Sequence, residues 1–386
     1  MLSARFHAQI SDIQADAWDA LRADANPFVA HAFLAALERD GCVRERWGWQ
    51  AHHVGLYDGE DLVAAAPLYL KGNSHGEYVF DFSWAHAWQR AGGAYYPKLL
   101  NAVPYSPVTG PRLLAGSGAR APHLQQQLVA AMRTEAQRLG LSSVHANFLL
   151  PAECDAFSAD DSAHPWLERT DIQFHWHNHD YRHFPAFLAT LAHKKRKNIL
   201  RERAQVAASG LAIEWRDGAS LSDAEWQRVH ELYVATFDAK GNRATLSAAF
   251  FRELGQLGLG TQLALARSGT DMVAMALFLR SDRVLYGRYW GASVVQPGLH
   301  FELCYYRGID YAISQRLERF EPGAQGEHKL ARGFLPARTS SRHYLLNADF
   351  HAAVAQALTH ERSSVDAYAQ ELTSHSPYAS RERPPQ

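Results

Sequence analysis

The segment Glu321–Pro336 gathers ionisable side chains on a backbone rich in glycine and proline, in the sequence EPGAQGEHKLARGFLP. Glycine and proline favour backbone shapes outside regular helices and strands, and charged groups held on such a shape can converge on a ligand. The charged groups here are Glu327, His328, Lys329 and Arg332. The alternative is a solvated turn after a helix, since the same residue types also mark ordinary loops. We interpret the segment as part of a site.

The residue types in this segment suit the attack of an amine on an activated acyl group. Such a reaction needs a base for the proton of the amine and donors for the developing oxyanion. The candidate bases are Glu302, Glu327 and His328. The cations Lys329 and Arg332 could donate to the oxyanion or orient a carboxylate or phosphate, with different geometries. The sequence therefore predicts an amide-forming site.

The preceding stretch, Gly298–Leu317, has apolar and aromatic residues at helical spacing, interrupted by charged ones. Tyr305 and Tyr306 on this predicted helix could protonate a leaving thiolate or hydroxyl. The alternatives are a surface or capping carboxylate for Glu302 and an aromatic core stripe for the two tyrosines. Helix and loop together are predicted to form one unit.

A second charged feature is the basic run HKKRKNILRER, at residues 193–203. The run also contains Lys195. On the predicted helix Lys194, Lys197 and Arg201 fall on one face, and Arg196 and Arg203 fall on an adjoining one. Such a stripe could hold phosphates, and its binding would then weaken with added salt. A solvated helix face is the alternative.

Three histidines alternate along FHWHNHDYRH, namely His175, His177 and His179. On a strand they would share one face, which raises the question of a zinc site. No carboxylate or cysteine is arranged to complete a tetrahedral set, so we predict a polar strand face or a cleft lining and no metal.

A Pro-rich and aromatic stretch, DFSWAHAW followed by PYSPVTGPRLL (Pro104–Leu114), is predicted to be an insertion in the first half of the chain. It could wall an acceptor cleft. An ordinary packed loop is the alternative.

Bulk composition narrows the class of protein. The chain has 386 residues, 47% of them hydrophobic and 20% charged, which excludes disordered and fibrous classes. The net charge of -1 provides no global field to recruit nucleic acid or membrane. Three cysteines without a C-x-x-C pair, and no secretory signal, predict a cytoplasmic protein. The longest apolar runs fall short of the ~20 residues that span a bilayer, so no membrane insertion is expected.

Motifs of several enzyme classes are absent from the sequence. It contains no serine hydrolase elbow, Walker loop or Rossmann G-x-G-x-x-G. Covalent serine catalysis, nucleotide hydrolysis and dinucleotide redox chemistry therefore have no support. Group transfer and ligand binding remain as the candidate functions.

The order of predicted elements repeats along the chain. Each half reads strand, helix, helix, strands, helix, strand, which predicts a duplicated α+β module. In the first half, strands His52–Tyr57 and Leu62–Leu70 form a hairpin. In the second half, a helix capped by Ser222 precedes a three-stranded meander over 262–290. We predict a first module at 1–180 with the insertion, a second module at 181–348 preceded by the basic helix, and a C-terminal helix with a frayed tail at 349–386.

This element order is similar to that of the GNAT acyltransferase fold, and a tandem pair resembles the FemAB group of peptidyl and aminoacyl transferases. The stretch YWGASVVQPGLHFELCYYRGIDYAI (Tyr289–Ile313) and the loop EPGAQGEHKLARGFLP resemble a FemAB-like family of predicted N-acyltransferases, labelled peptidoglycan biosynthesis or recognition. Further likeness lies in QFHW (Gln173–Trp176), in YRHFPAFLATLAHKKRKNILRER (Tyr181–Arg203) and in PFVAHAFLAALE (Pro27–Glu38). The resemblance covers nearly the whole chain.

The resemblance implies an α+β fold of tandem GNAT-like modules, each a mixed sheet flanked by helices, with an active cleft between them. It also implies an N-acyltransferase that joins an activated acyl or aminoacyl donor to an amine acceptor, such as a cell-wall precursor. Acyl-CoA and aminoacyl-tRNA are the candidate donors, and no tightly bound cofactor or stable protein partner is expected. The rival function is a non-catalytic module that binds peptidoglycan precursors or nucleic acid, and a third is acetyl transfer to a small amine.

One departure concerns the donor. Typical GNAT members carry a Q/R-x-x-G-x-G/A loop for the pyrophosphate of coenzyme A, whereas this chain has GASVVQPGLH. The backbone at Gly298, before a helix, could still present N–H groups to an anion. Gly298, His300 and Trp176 join the basic residues and Arg332 as candidate substrate- or phosphate-binding residues. Glu302, Tyr305, Glu327, His328 and Lys329 are the candidate catalytic residues.

Overall fold

The computed structural model describes residues 2–158, 164–324 and 326–379. The strands are β1 (Leu2–His7), β2 (Trp49–Ala51), β3 (His53–Asp58), β4 (Asp61–Ala66), β5 (Leu68–Lys71), β6 (Lys98–Asn101), β7 (Ser143–Leu149), β8 (Leu167–His177), β9 (Ala212–Asp217), β10 (Gln262–Ser268), β11 (Asp271–Arg280), β12 (Val284–Ala292), β13 (Arg319–Glu321) and β14 (Leu335–Leu345).

The α-helices are α1 (Ala15–Asp19), α2 (His31–Arg39), α3 (Phe82–Arg90), α4 (Ala121–Arg138), α5 (Pro151–Cys154), α6 (Phe184–Thr190), α7 (His193–Ala207), α8 (Asp223–Asp238), α9 (Ala248–Gln256), α10 (Leu299–Phe301), α11 (Arg307–Ser314) and α12 (Ala348–Ser374). A π-helical turn (Glu302–Tyr306) joins α10 to α11, and a 3-10 helix (Glu327–Arg332) precedes β14. Within the described ranges, no helix has the length and apolar character that crossing a bilayer requires.

The chain forms two compact units. The first contains the chain up to Asp171 together with Arg338–Ala367, and the second contains Ile172–Ala337 together with the residues from Tyr368 on. The module limits drawn from the sequence, at residues 180 and 348, stay a prediction. The contact units divide the chain instead near residues 171 and 337, because β14 and most of α12 return to the first unit.

The first unit contains two sheets. In one, β3 pairs with β1 and with β4, all antiparallel. In the other the order is β2, β5, β6, β7, β14, antiparallel except for the parallel pair β6 and β7. The amphipathic helix α4 buries Leu124, Leu128 and Met132, spaced four residues apart, against these strands.

The second unit has the strand order β8, β13, β12, β11, β10, β9. Strands β9 to β12 form the antiparallel meander, and β12 continues through the α10–α11 helix to the parallel strand β13. Side chains of that helix, including Leu303, Tyr306 and Ile309, pack on Phe320 in the core. The sequence predictions for α8 and the meander are confirmed. Ser222 and Glu225 form the predicted capping box, at 3.3 and 2.9 Å.

One sequence prediction for the first unit was wrong in part. The hairpin is confirmed as β3 and β4, but Leu62–Leu70 is not one strand, since β4 and β5 belong to different sheets on either side of Pro67. The stretch DFSWAHAW, part of the predicted insertion, contributes most of helix α3. In Pro104–Leu114 only Leu114 makes a strand-like contact, an isolated bridge to Ala65. Aromatic side chains of this region pack inward, so their burial decides its structure more than local turn signals do.

The C-terminal segment after α12 is anchored in the second unit. The Ala192 N–H donates to Pro377 O at 2.9 Å, and the Tyr378 hydroxyl donates to Gly333 O at 2.8 Å. The sequence predicts a frayed tail over the last dozen residues. Residues 375–379 depart from that prediction, because the Tyr378 ring is buried. Residues 380–386 lie outside the described residues.

Candidate active site

A cavity of about 230 Å³ lies in the second unit. Strands β11 and β12, the helix from α10 to α11 and the loop after β13 supply its walls. The lining residues are Ala276, Leu277, Phe278, Gly287, Arg288, Tyr289, Trp290, His300, Cys304, Tyr305, Pro322, Gly323, Ala324, His328 and Lys329. None of these lining residues is Asp or Glu. The cavity therefore combines aromatic walls with cationic and imidazole groups.

The cavity opens where β12 and β13 stop pairing. Their parallel register covers Val284–Tyr286 and Arg319–Glu321, after which β12 continues past Gly287 paired with β11 and no longer with β13. Pro322 follows β13 directly, and proline has no N–H to continue the ladder. A bulge pairs Leu277 with Tyr289 and Phe278 with Gly287, which places Arg288 in the bulge at the cavity wall. Bulges of this kind redirect side chains next to active sites.

Lys329 is buried and lines the cavity. Its 3-10 helix begins after Gly326 (φ 118°) and ends at Gly333 (φ 96°), both in backbone conformations that favour glycine. The Lys329 Nζ donates to Gly323 O at 2.6 Å. Burial lowers the pKa of Lys329 to about 8. The ammonium is therefore mostly present at neutral pH but is readily deprotonated in mild alkali.

His328 and Tyr305 form a hydrogen-bonded pair at the cavity, with His328 Nε2 and the Tyr305 hydroxyl 2.8 Å apart. Burial, with the cations Arg332 and Lys329 nearby, lowers the pKa of His328, whereas burial raises the pKa of Tyr305. At neutral pH the imidazole is thus neutral and the phenol protonated. This state lets the pair accept one proton and supply another.

His300 completes the imidazole groups of the cavity. Its ring packs edge-on against Trp290 and Tyr305, with centroids 5.2 and 5.4 Å away. Burial, followed by the charge of His328, lowers the pKa of His300 to about 4. His300 is therefore a neutral wall and hydrogen-bonding group.

Arg332 lies behind the site and fixes the backbone there. It donates to the His328 carbonyl at 2.7 Å, to Glu202 Oε1 at 2.8 Å and to the Tyr306 hydroxyl at 3.0 Å. Its guanidinium carbon stands 3.4 Å from the Phe301 ring centroid. Tyr306 also bonds Glu202 of α7. These contacts join the 3-10 helix to α7, so Arg332 and Tyr306 position His328 rather than line the cavity.

Both predicted carboxylate bases, Glu302 and Glu327, lie outside the cavity lining. Glu302 is buried and accepts from Arg203 at 3.1 Å and from Arg307 at 2.8 Å. Glu327 is exposed and accepts from the Tyr368 hydroxyl at 2.6 Å. Among the candidate bases only His328 lines the cavity, so the geometry favours the imidazole as base.

The remaining predicted binding residues are spread over the unit. Trp176 is fully buried in the core, with the Phe187 ring edge-on at 5.8 Å. On α7, Lys194 and Lys197 are exposed, and Lys195 and Arg196 are partly exposed. Within the described part of the chain, no ion pair engages these four cations. These four consecutive residues form the first turn of α7 after His193, and we call them the basic turn of α7.

Gly298 is a packing residue at the start of α10. Its φ is 83°, and a Cβ atom there would lie 3.1 Å from Glu202 O on α7. The helix start therefore rests directly on the α7 backbone.

A Gly298→Ala substitution is expected to lower the free energy of unfolding of the second unit by about 1 to 2 kcal/mol, since left-handed backbone is strained for alanine. The close contact with α7 should add to that loss. Gly241→Ala is the matched control, because Gly241 has φ 63° and open space around its Cβ position. Thermal denaturation of both variants measures the difference, and equal losses would contradict a contact role for Gly298.

Sequence reasoning missed some cavity residues. Arg288 is brought to the wall by the bulge in β12, and Cys304 lines the cavity together with Lys329. The π-helical turn that places Cys304 and Tyr305 has no signal in a helical hydrophobic pattern. For the three alternating histidines, the described residues contain no group of three or more His, Cys, Asp or Glu that could hold a metal ion.

The family model FemAB-like, described as peptidoglycan biosynthesis/recognition, matches residues 9–380. The chain belongs to the FemAB-like family. It is accordingly an acyltransferase of the GNAT and FemAB type, and the expected class of α+β fold with tandem GNAT-like modules is confirmed. No curated protein matched the sequence.

Solved structures resemble this FemAB-like chain at low sequence identity. The crystal structure of FemX has 11% identity and a TM-score of 0.51, covering 92% of this chain and 100% of its own. A conserved protein of unknown function from Bacteroides thetaiotaomicron has 9% identity and a TM-score of 0.52, covering 89% of this chain and 100% of its own. At this identity the likeness concerns the fold alone.

Proposed function

We propose that this FemAB-like protein catalyses N-acyl transfer in the cavity of the second unit, with Lys329 as the oxyanion donor. The observation that carries the proposal is a buried lysine in a cavity that also holds a hydrogen-bonded His328–Tyr305 pair. A cytoplasmic location, expected from the cysteine usage, belongs to the same proposal.

In the first step the acceptor amine attacks the carbonyl carbon of the donor, and a C–N bond forms. The carbonyl electron pair moves to oxygen, where the Lys329 ammonium donates to the oxyanion. The His328 imidazole takes the proton that the amine nitrogen loses. A tetrahedral intermediate with an oxyanion and a neutral nitrogen results, together with an imidazolium, and the oxyanion electron pair re-forms the carbonyl when the leaving group departs.

In the second step the bond to the leaving group breaks, and the leaving atom takes the proton of the Tyr305 hydroxyl. Burial disfavours a phenolate at Tyr305, so the His328 imidazolium returns its proton to Tyr305 in the same step. The side chains are then restored. The products are the amide and the protonated leaving group.

The donor is proposed to carry phosphate. The basic turn of α7 could bind that phosphate, because its four cations make no ion pair within the described part of the chain. Acyl-CoA and aminoacyl-tRNA both satisfy this. The family description suggests a cell-wall precursor as the acceptor. Incubation of the purified protein with panels of acyl-CoAs, aminoacyl-tRNAs and amines, followed by mass spectrometry, tests the proposal. An amide product from one donor class supports it.

The basic turn of α7, taken by itself, would also fit a protein that binds such donors without catalysing a reaction. That function predicts salt-sensitive binding of the same donors with no amide product. Lys195→Glu with Arg196→Glu should abolish such binding, whereas a Lys329 substitution should leave it intact. Formation of an amide product that depends on Lys329 would favour the enzyme over the binding module.

The rate of amide formation is expected to fall as the pH rises through about 8, where Lys329 loses its proton. The profile of kcat/KM reports the ionisation of the free enzyme. In Lys329→Arg the donor keeps its charge, so the alkaline fall should disappear from what activity remains. A rate that rises through the same pH would instead make the neutral amine of Lys329 the base.

A further inference from the structure

The first unit buries two lysines side by side. Lys71 at the end of β5 and Lys98 at the start of β6 are direct partners in the antiparallel register. Both are fully buried. Like charges opposite each other destabilise a sheet, and burial in a low dielectric strengthens their repulsion. An apolar pair at these positions would pack without that repulsion.

The groups that neutralise the lysine pair come from one segment, residues 72–81, between β5 and α3. Lys98 Nζ donates to Glu77 Oε2 at 2.8 Å, to Ser74 Oγ at 3.0 Å and to Asp81. Lys71 Nζ donates to the His75 carbonyl at 3.2 Å. The segment therefore covers the pair with its own carboxylates. We call residues 72–81 the covering segment.

The neutralisation is incomplete around Lys71. Its nearest carboxylate oxygen, Glu77 Oε1, is 3.9 Å away, and its Nζ stands 3.7 Å from the Trp49 ring centroid. Within the described residues Glu77 Oε1, Trp49 Nε1 and the Tyr69 hydroxyl are buried without a hydrogen-bond partner. Buried polar atoms in native proteins are nearly always paired, so such a cluster calls for an explanation.

The same place holds strained backbone. Tyr78, directly after Glu77, has φ 61°, and Tyr105 has φ 56°. The Tyr105 N–H donates to Gly76 O at 3.1 Å, and its ring centroid is 5.4 Å from that of Trp49. Left-handed backbone is strained at a bulky residue, and such strain collects at functional sites. The covering segment and the residues around it thus contain buried charges, polar atoms without a hydrogen-bond partner among the described residues, and strained backbone.

We propose that Lys71 and Lys98 form an anion-binding site for a phosphate-, diphosphate- or carboxylate-bearing ligand, in which Glu77 occupies the place of the ligand when the site is empty. An incoming anionic oxygen can accept hydrogen bonds from Lys71 and Trp49 that the Glu77 carboxylate leaves unmade. The covering segment then moves away with Glu77. None of these residues lines the cavity of the second unit, so the site is separate from the proposed transfer reaction.

Two features make Glu77 the replaceable occupant. Glu77 Oε1 has no hydrogen-bond partner within the described residues, and burial raises the pKa of Glu77 to about 7, so its ionised form carries a desolvation cost that the ion pair with Lys98 offsets only in part. The covering segment also reaches the surface at Gly72, His75 and Phe80, which are exposed. Movement of this segment would give a ligand a direct path to the lysine pair.

The test uses pyrophosphate with Glu77→Gln, which keeps the size of the side chain and removes its charge. If Glu77 fills the site for most of the time, the substitution should tighten pyrophosphate binding at least about tenfold over the wild type. Isothermal titration measures both affinities. Lys71→Met with Glu77→Gln should lose the gain. Malonate in parallel titrations distinguishes a carboxylate from a phosphate ligand, and tighter binding of either supports the site.

A folded Glu77→Gln variant without saturable binding of either anion would overturn the proposal, as would equal binding by the double variant. Should Glu77→Gln not fold, hydrogen exchange of the wild-type protein decides. Saturating pyrophosphate should then speed amide exchange in the covering segment. Unchanged exchange there would overturn the proposal. Neither readout depends on transferase activity, so failure here leaves the proposed function standing.

Discussion

Lys329→Met is expected to lower the rate of amide formation by about 10²- to 10³-fold, the usual effect of removing one oxyanion donor. Methionine keeps the approximate length of the side chain but cannot donate a hydrogen bond. The effect should appear in kcat, because the ammonium is proposed to act on charge that develops only in the transition state. Steady-state kinetics with a donor and acceptor identified by mass spectrometry measures it.

The same substitution should stabilise the second unit. The pKa of Lys329 falls from 10.5 to about 8 on folding, so the unfolded chain binds more protons between these values. The free energy of unfolding therefore rises with pH across that window, and the full penalty, about 3 kcal/mol, is present below pH 8. Removing the amine removes this penalty. A variant that is inactive yet melts higher than the wild type separates catalysis from structural support.

Lys197→Met is the control for Lys329→Met. Lys197 is exposed on α7 and is proposed to contact phosphate, so its loss should raise KM and leave kcat nearly unchanged. Undiminished kcat in Lys329→Met would remove the lysine from the mechanism. A melting temperature that falls with the activity would assign Lys329 a structural role instead.

Lys98→Met is expected to destabilise the first unit by about 3 to 5 kcal/mol, the range for breaking a buried ion pair from one side. Lys98 bonds two carboxylates, Glu77 and Asp81, and these interactions raise its pKa despite burial. Without the ammonium both carboxylates would be buried and uncompensated. Denaturant unfolding followed by tryptophan fluorescence measures the loss.

Lys71→Met makes a matched comparison, since the two lysines are register partners and are equally buried. Burial lowers the pKa of Lys71 to about 7, and among the described residues the carboxylate recorded near its Nζ is that of Glu77, 3.9 Å away and beyond hydrogen-bonding distance. The substitution should therefore change stability little or raise it. Equal losses in the two variants would show that the lysines share their partners evenly, contrary to the geometry.

Much of the second unit could be predicted from the sequence, because its signals are local. The capping residues Ser222 and Glu225 and the alternating apolar residues of the meander specify their elements over a few residues. Likewise the gathering of His328 and Lys329 with Tyr305 and His300 follows from one helix and the loop after it. Short sequence separations made that part of the cavity accessible to pattern analysis.

Other parts depend on contacts between distant residues. Glu302 pairs with Arg203, which lies 99 positions away in the chain, and no local pattern predicts this pair. Without knowledge of that partner, Glu302 is interpreted as a carboxylate available to act as a base. Lys71 and Lys98 become neighbours only through the register of β5 and β6, and register is set by tertiary packing. Arg288 enters the cavity wall through a bulge that no periodicity reports.

The π-helical turn Glu302–Tyr306 contains one residue more than a regular α-helix would need. The wider turn absorbs that residue, so a second inserted codon, with no further wide turn to absorb it, would rotate everything beyond it by about 100° around the helix axis. Arg307 and Asp310 would then swing away from Glu302 and Arg203 together. Ion pairs on one side of this helix and the cavity on the other therefore make a further insertion in it hard to tolerate.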